Sequence, residues 1–351
     1  MIPLTRPWIE DAEVAAVASV LRSGMLVQGR AVAAFEASVA DRCGRPHGVA
    51  VSSGTAAIVL SLQALGVGPG DEVLVPALTW PSPAHAARCL GATVRLVDVD
   101  PLEWNVTPAL LQAARTPRTK AAVVIDQFGN PLRQGFEAVE LPLLEDAACA
   151  LGALFGDGRP CGSLGAAACL SFHPRKVLTT GEGGVVVTDD PAFAEELRAA
   201  RNHGQSAPGV FTAPGVNHRL TEMQGALGCA QIERLNEALR RRRRHAEALM
   251  DALADRLTFQ ASPPGAQPSY QTLGALLPAS VDREEFLAAC RARGVQCGRL
   301  SYGLHQVGTV PHEGALPVTE RVVARGVALP LFPQMSDEQR AQVVAVVREL
   351  T

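Results

Sequence analysis

Apolar and polar positions along this chain follow two periods in turn. Near the N-terminus, Glu10–Leu21 and Ala31–Asp41 repeat apolar residues at helical spacing, and each pattern closes on a glycine, Gly24 and Gly44, as helix C-termini often do. From His47 onward the apolar runs shorten to strand length. Val49–Val51, Glu72–Val75, Thr93–Val97, Ala121–Ile125, Leu141–Leu144, Ala168–Phe172 and Val185–Thr188 read as strands, with helical stretches between them. Such a strand–helix rhythm predicts an α/β fold with a mostly parallel central sheet covered by helices. After Thr221 a long helical stretch runs through Gln231–Leu257, and the Pro/Gly-rich Ser262–Pro268 turns the chain into a smaller α+β unit. The pattern places a large domain at residues 1–235 and a small C-terminal domain at 236–351.

Composition narrows the function classes. A chain of 351 residues has ample capacity for two cores, and 47% hydrophobic residues with a net charge of −3 carry no nucleic-acid signature. The five arginines Arg240–Arg244 lie within a helical pattern, where a charge run is expected to be a solvated face. Eight cysteines occur without a Cys-x-x-Cys pair, which supports neither a metal site nor a redox motif and suits reduced thiols in a cytosol. With no basic and apolar leader and no apolar stretch of bilayer length, the expectation is a cytoplasmic protein without a membrane partner.

The chemistry concentrates in Ser171-Phe172-His173-Pro174-Arg175-Lys176-Val177-Leu178-Thr179-Thr180-Gly181-Glu182-Gly183-Gly184. Lys176 lies between an apolar strand and a glycine turn that opens another strand. An ammonium there is costly to desolvate, and a Schiff base with pyridoxal phosphate (PLP) or a carbonyl substrate relieves that cost; the alternative is a loop lysine facing water. PLP chemistry also needs a carboxylate for the pyridine nitrogen, a flat partner for the ring and a phosphate cradle. Asp146 ends an apolar strand where an open sheet binds ligands, although a helix N-cap would use the same residue. Ser52-Ser53-Gly54-Thr55-Ala56-Ala57 leads from a strand into a helix, which suits either anion binding or simple capping. Trp80 follows a strand and could stack on a ring or pack in the core, and Ser171 offers a hydroxyl.

Together these residues resemble the DegT/DnrJ/EryC1/StrS sugar aminotransferases, of the fold type I PLP enzymes. The likeness runs nearly end to end. It includes Pro3-Leu4-Thr5-Arg6-Pro7, Gly54-Thr55-Ala56, Gly68-Pro69-Gly70-Asp71-Glu72-Val73 and Glu145-Asp146-Ala147-Ala148, then the lysine run. It continues through Arg201-Asn202-His203-Gly204, Asn217-His218-Arg219-Leu220-Thr221-Glu222-Met223-Gln224 and Leu329-Pro330-Leu331-Phe332-Pro333. The resemblance implies that Lys176 holds PLP and acts as general acid and base, with Asp146 on the ring nitrogen and Trp80 stacked on the ring. It implies that Gly54, Thr55, Ala56 and Ser171 hold the phosphate, and that Asn217 reaches the phosphate of the neighbouring subunit in a homodimer. Three positions depart from the family pattern: Cys149 stands where Gln or His is common near the ring hydroxyl, His218 where Tyr is frequent, and Asp126-Gln127-Phe128-Gly129-Asn130-Pro131 where His-x-Tyr-Gly-x-Pro is usual.

The activity so implied is transfer of an amino group from glutamate or glutamine to a keto-sugar, most simply a nucleotide-linked one. The turn Thr179-Thr180-Gly181-Glu182-Gly183-Gly184 resembles members that aminate C4 of a 4-keto-6-deoxy sugar, whereas C3 members tend to carry a Leu-Gly-Ala-type run. Competing readings are a cyclitol ketone as acceptor, a PLP-binding regulator without turnover, and a deoxygenating dehydratase. The dehydratase branch resembles a form with His in place of the lysine, and Lys176 argues against it.

Overall fold

The computed structural model describes residues 1–312 and 314–351. The chain opens with α1 (Asp11–Ser23) and α2 (Arg30–Arg42), then alternates β1 (His47–Val51), α3 (Gly54–Ala64), β2 (Glu72–Pro76), α4 (Ser82–Cys89), β3 (Thr93–Val97), α5 (Pro108–Ala114) and β4 (Thr119–Ile125). There follow β5 (Leu143–Asp146), β6 (Ala167–Ser171), β7 (Gly184–Thr188), α6 (Pro191–Ala200) and a hairpin of β8 (Gln205–Ala207) and β9 (Val210–Phe211). The predicted strands are all present, with ends shifted by one or two residues. The largest change is at β5: Pro142 has no N–H to give a ladder, so pairing starts at Leu143 and takes in both acids, Glu145 and Asp146.

These seven strands form one sheet in the order β1-β7-β6-β5-β4-β2-β3. Only β7 runs against the rest, pairing antiparallel with both β1 and β6. The carboxyl ends of β1, β2, β4, β5 and β6 therefore meet along one edge, which is where open sheets bind ligands. Both faces are covered. One apolar cluster (Val32, Phe35, Ala122, Val124, Leu170) and another (Ile58, Leu62, Val75, Val123, Val186) sandwich the sheet, and this explains strands that are apolar on both faces.

The long helical stretch expected after Thr221 is two helices, α7 (Glu222–Glu233) and α8 (Leu235–Leu253), separated at Arg234 (φ −98°, ψ 2°). Arg234 is held there by ion pairs to Glu10 and Glu13, and its guanidinium lies 4.7 Å from the Trp8 ring centroid. Nor is Arg240–Arg244 a uniformly solvated face. Arg242 is fully buried and donates to the carbonyls of Tyr270 (3.1 Å) and Gln271 (2.6 Å), and Arg243 donates to Pro268 (2.8 Å) and Gly152 (3.1 Å). Arg243 thus fastens α8 to the end of the Pro/Gly-rich turn, and Arg242 fastens it to the residues that follow.

The C-terminal part builds a four-stranded sheet, β10-β11-β13-β12, from β10 (Thr258–Phe259), β11 (Leu273–Leu276), β12 (Gly298–Arg299) and β13 (Gly326–Leu329). Helices α9 (Arg283–Ala292), α10 (Pro317–Arg325) and α11 (Asp337–Leu350) accompany it, with a third core of Leu249, Phe286, Val327 and Val343. A fourth cluster (Leu78, Trp104, Phe128, Leu276, Leu300) joins the two sheets. No helix among the described residues is long and apolar enough to cross a membrane.

Candidate active site

Along the carboxyl edge, the β1–α3 junction comes first. Ser53 is the N-cap of α3, its hydroxyl accepting the Ala56 amide at 3.1 Å, and its carbonyl accepts the Ala57 amide at 3.0 Å. The Gly54 and Thr55 amides are left without an intrahelical acceptor, at the positive end of a helix. Gly54 is required by close approach: a Cβ there would lie 2.8 Å from Cβ of Ser171 and 3.1 Å from its Oγ. The half-buried Ser171 ends β6, so its hydroxyl meets the first turn of α3. Thr55 is exposed and Ala56 buried. Together these groups offer two amides and two hydroxyls to an anion.

Asp146 ends β5 and is 6% exposed. No helix starts after it; its Oδ1 accepts the Ala148 amide at 3.1 Å, a local turn that replaces the N-cap alternative. Burial raises the Asp146 carboxyl above the ordinary carboxylate range, opposed by the positive charge of Lys176 and by the Ala148 amide. Lys176 follows β6 in a turn closed by its own amide on the His173 carbonyl (2.8 Å), and its Nζ lies 3.3 Å from Cys149 Sγ. It is half-buried and turned inward rather than free in solvent. The chain contains just two lysines, and Lys120, the other, is an exposed residue at the amino end of β4, away from this edge.

The glycine turn after Lys176 has its own supports. Thr179 Oγ1 donates to the Phe172 carbonyl (2.8 Å) and Thr180 Oγ1 to the Glu182 carbonyl (2.6 Å), while Gly183 takes φ 157°, where a Cβ would meet Thr180 Oγ1 at 2.5 Å. The two threonines thus close the loop that presents Lys176.

Trp80 is 61% exposed and so is no core residue. Its ring meets Tyr302 edge-on, centroids 5.4 Å apart at 76°. Asn217 is exposed on a segment that runs beside the cradle strand. The Ser52 amide donates to the His218 carbonyl (2.8 Å), Val51 bridges Arg219, and Asn217 itself bridges Asn202. Burial holds the His218 imidazole below its ordinary pKa.

One edge therefore gathers Gly54, Thr55, Ser171, Asp146, Cys149 and Lys176, with Trp80 at the rim and Asn217 on the adjoining segment. An inward lysine, a buried carboxylate with one oxygen taken by a single amide, and a cradle that a Cβ would fill fit a phosphorylated pyridine aldehyde. Sequence reasoning missed Tyr302 and Gln271, which reach the site from the C-terminal part of the chain; Gln271 Nε2 donates to the Arg175 carbonyl at 2.6 Å. Neither sits in a motif, and only tertiary packing brings them near.

A model of the DegT/DnrJ/EryC1/StrS aminotransferase family matches residues 7–348. Among solved structures the chain is similar to an aminotransferase, TlmJ, from Streptoalloteichus hindustanus, at 35% identity and TM-score 0.94, covering 99% of this chain and 98% of that one. It is similar also to DesV of S. venezuelae in complex with a ketimine intermediate, at 33% identity and TM-score 0.90, with 96% and 93% covered. A third similar structure is E. coli GDP-4-keto-6-deoxy-D-mannose-3-dehydratase with bound hydrated PLP, at 25% identity and TM-score 0.92, with 99% of each chain covered.

Proposed function

We propose that this chain, which belongs to the DegT/DnrJ/EryC1/StrS aminotransferase family and is a PLP-dependent aminotransferase, moves an amino group from glutamate or glutamine to a nucleotide-linked 4-keto-6-deoxy sugar. When bound, PLP supplies an aldehyde that exchanges for an amine and a ring that takes up the electron pair of a carbon losing its proton. The remaining steps belong to the chain. Lys176 Nζ takes the proton from the donor carbon that gives up its amine and returns one to the acceptor carbon that receives it. Asp146 holds a proton on the ring nitrogen. Gly54, Thr55, Ala56 and Ser171 fix the phosphate, Trp80 lies against the ring, and Cys149 packs beside Lys176.

The observation that carries this reading is the inward Lys176 on the edge that also holds buried Asp146. The turn Thr179–Gly184 supports the C4 position of the acceptor. A homodimer, with Asn217 reaching the partner's phosphate, is part of the proposal. Exposed apolar residues on the N-terminal segment (Val14, Leu21, Met25, Val27), on the β8–β9 hairpin (Phe211) and just after it (Val216) support it. The test is a panel of keto-sugar nucleotides and cyclitol ketones added to protein charged with pyridoxamine phosphate. Return of the aldehyde-form absorbance with a 4-keto-6-deoxy sugar nucleotide alone is expected. A response to 3-keto sugars or cyclitol ketones instead reassigns the acceptor.

A further inference from the structure

The strand that carries Asp146 carries a second acid, and the alternation of a strand sends it to the opposite face. There Glu145 is fully buried, and its two oxygens accept the amides of Gly162 (2.6 Å) and Leu164 (2.7 Å). Asp126, the residue after β4, is also 0% exposed. Its Oδ1 accepts the Leu132 amide at 3.0 Å, while Oδ2 has no hydrogen-bond partner among the described residues. One oxygen of each acid and the sulfur of Cys161 lie within 4.8 Å of one another.

The surroundings identify what Oδ2 lacks. The Cys43 and Cys161 thiols face the pair and are pushed up by burial, so they stay neutral. Arg45 is the cation whose field reaches Glu145; its guanidinium is held on the carbonyls of Gly162 (3.1 Å) and Gly165 (2.9 Å) and on Asp189. Asp146, itself facing Lys176, lies near enough to oppose a charge on Asp126. Two fully buried carboxyls this close do not both ionise readily. Burial raises the Glu145 carboxyl as well, but two amide donors and the Arg45 charge oppose that rise, whereas Asp126 has one amide donor, so Glu145 is the anion and Asp126 the member that keeps a proton.

We propose that Asp126 is carried as the neutral acid, donating from Oδ2 to Glu145, so that Asp146 is the charged member facing the cofactor ring. Asp126 is then a positioning residue for Asp146. The two are also tied through the backbone, because the Asp126 amide donates to the Asp146 carbonyl at 3.2 Å. The protonation of Asp126 stands on the buried geometry; its benefit to catalysis rests on the reading of Asp146 given above.

Burial, and the charge of Glu145 after it, raise the Asp126 carboxyl. An acid raised on folding leaves the fold least penalised below the unfolded carboxylate range of ~4, and stability falls as pH climbs through the raised value. Asp126→Asn imitates the neutral acid: its amide nitrogen donates to Glu145, its oxygen accepts from Leu132, and it does not titrate.

The experiment is difference infrared spectroscopy of the holoenzyme at about pH 8, above the ordinary carboxylate range, on the wild type, Asp126→Asn and Asp146→Asn. The carbonyl band of one protonated carboxylic acid is expected in the wild type and in Asp146→Asn, and is lost in Asp126→Asn. No such band in the wild type overturns the proposal. A band lost in Asp146→Asn alone also overturns it, and separately removes the charged role of Asp146. Thermal unfolding supplies the second readout: the melting temperature of Asp126→Asn relative to wild type should rise as pH climbs above the ordinary carboxylate range of ~4. A flat difference, or an Asp126→Asn protein that does not fold, counts against the proposal, since the amide is an isostere of the neutral acid. Glu145→Gln should be much less stable, because an amino group then faces an amide donor; a Glu145→Gln as stable as wild type reverses the assignment. Stoichiometric metal in elemental analysis would mean that Oδ2 serves an ion instead.

Discussion

Glu145 and Asp146 are adjacent acids on one strand, and the two faces of β5 treat them in opposite ways. On the Glu145 face the acid is saturated by two amides, a nearby arginine and a second carboxyl. On the Asp146 face the chain supplies one amide and one lysine charge. A polar group whose partners are all internal serves the fold. One left with an unused oxygen and a buried setting is prepared for something that comes from outside. Burial alone does not separate the two roles, since both acids are buried; hydrogen-bond capacity does.

The comparison breaks most visibly at Lys176. Lys176→Ala should lower kcat by on the order of 10⁴ or more while pyridoxamine phosphate still binds. Borohydride reduction of the wild-type holoenzyme should fix the cofactor on the Lys176 peptide, and mass spectrometry that finds it on Lys120 ends the assignment. Asp146→Asn comes next. It should cost orders of magnitude in the half-reaction rate, measured by stopped-flow absorbance, with little change in melting temperature; near-normal turnover would place Asp146 with the structural acids. On the other face the sign of the result reverses. Glu145→Ala leaves the Gly162 and Leu164 amides and the buried Asp126 carboxyl without their acceptor, and should cost about 3–5 kcal/mol in denaturant unfolding. The rate per folded molecule should be affected far less than in Asp146→Asn. The smallest effect belongs to Cys149→Ser, which retains size at a half-buried position and should stay within about 1 kcal/mol of wild-type stability. A larger loss would mean that the Lys176–Cys149 contact holds the loop in place.

Much of this was legible beforehand, for reasons that differ from residue to residue. The strands of the central sheet are short apolar runs, buried on both faces, so periodicity finds them without tertiary information. Lys176, Gly54, Ser171 and Asp146 lie in local motifs, and each occupies the carboxyl edge because the strand before it delivers it there. The break at Arg234 was not legible, since its cause is a pair of glutamates and a tryptophan more than two hundred residues away in sequence. The burial of Arg242, whose acceptors are the backbone carbonyls of Tyr270 and Gln271, was by contrast not beyond the reach of helical periodicity. Asp126 was visible only as a departure from a family pattern. Its meaning depends on Glu145 standing opposite, which strand register decides.

The contact between Trp80 and Tyr302 has a consequence for how such an enzyme diversifies. The loop after β2 is laced to residues 302–304 by the Thr79 amide on the Tyr302 carbonyl (3.2 Å), the Leu304 amide on the Ala77 carbonyl (2.8 Å) and the Leu78–Gly303 bridge. The rim of the edge is thus written partly in the C-terminal sequence, while Lys176, Asp146, Gly54 and Ser171 are written entirely before residue 177. Inheritance can edit the first text without touching the second. A lineage could acquire a new acceptor by exchanging a dozen residues around Tyr302, with the proton-handling apparatus passed on unaltered.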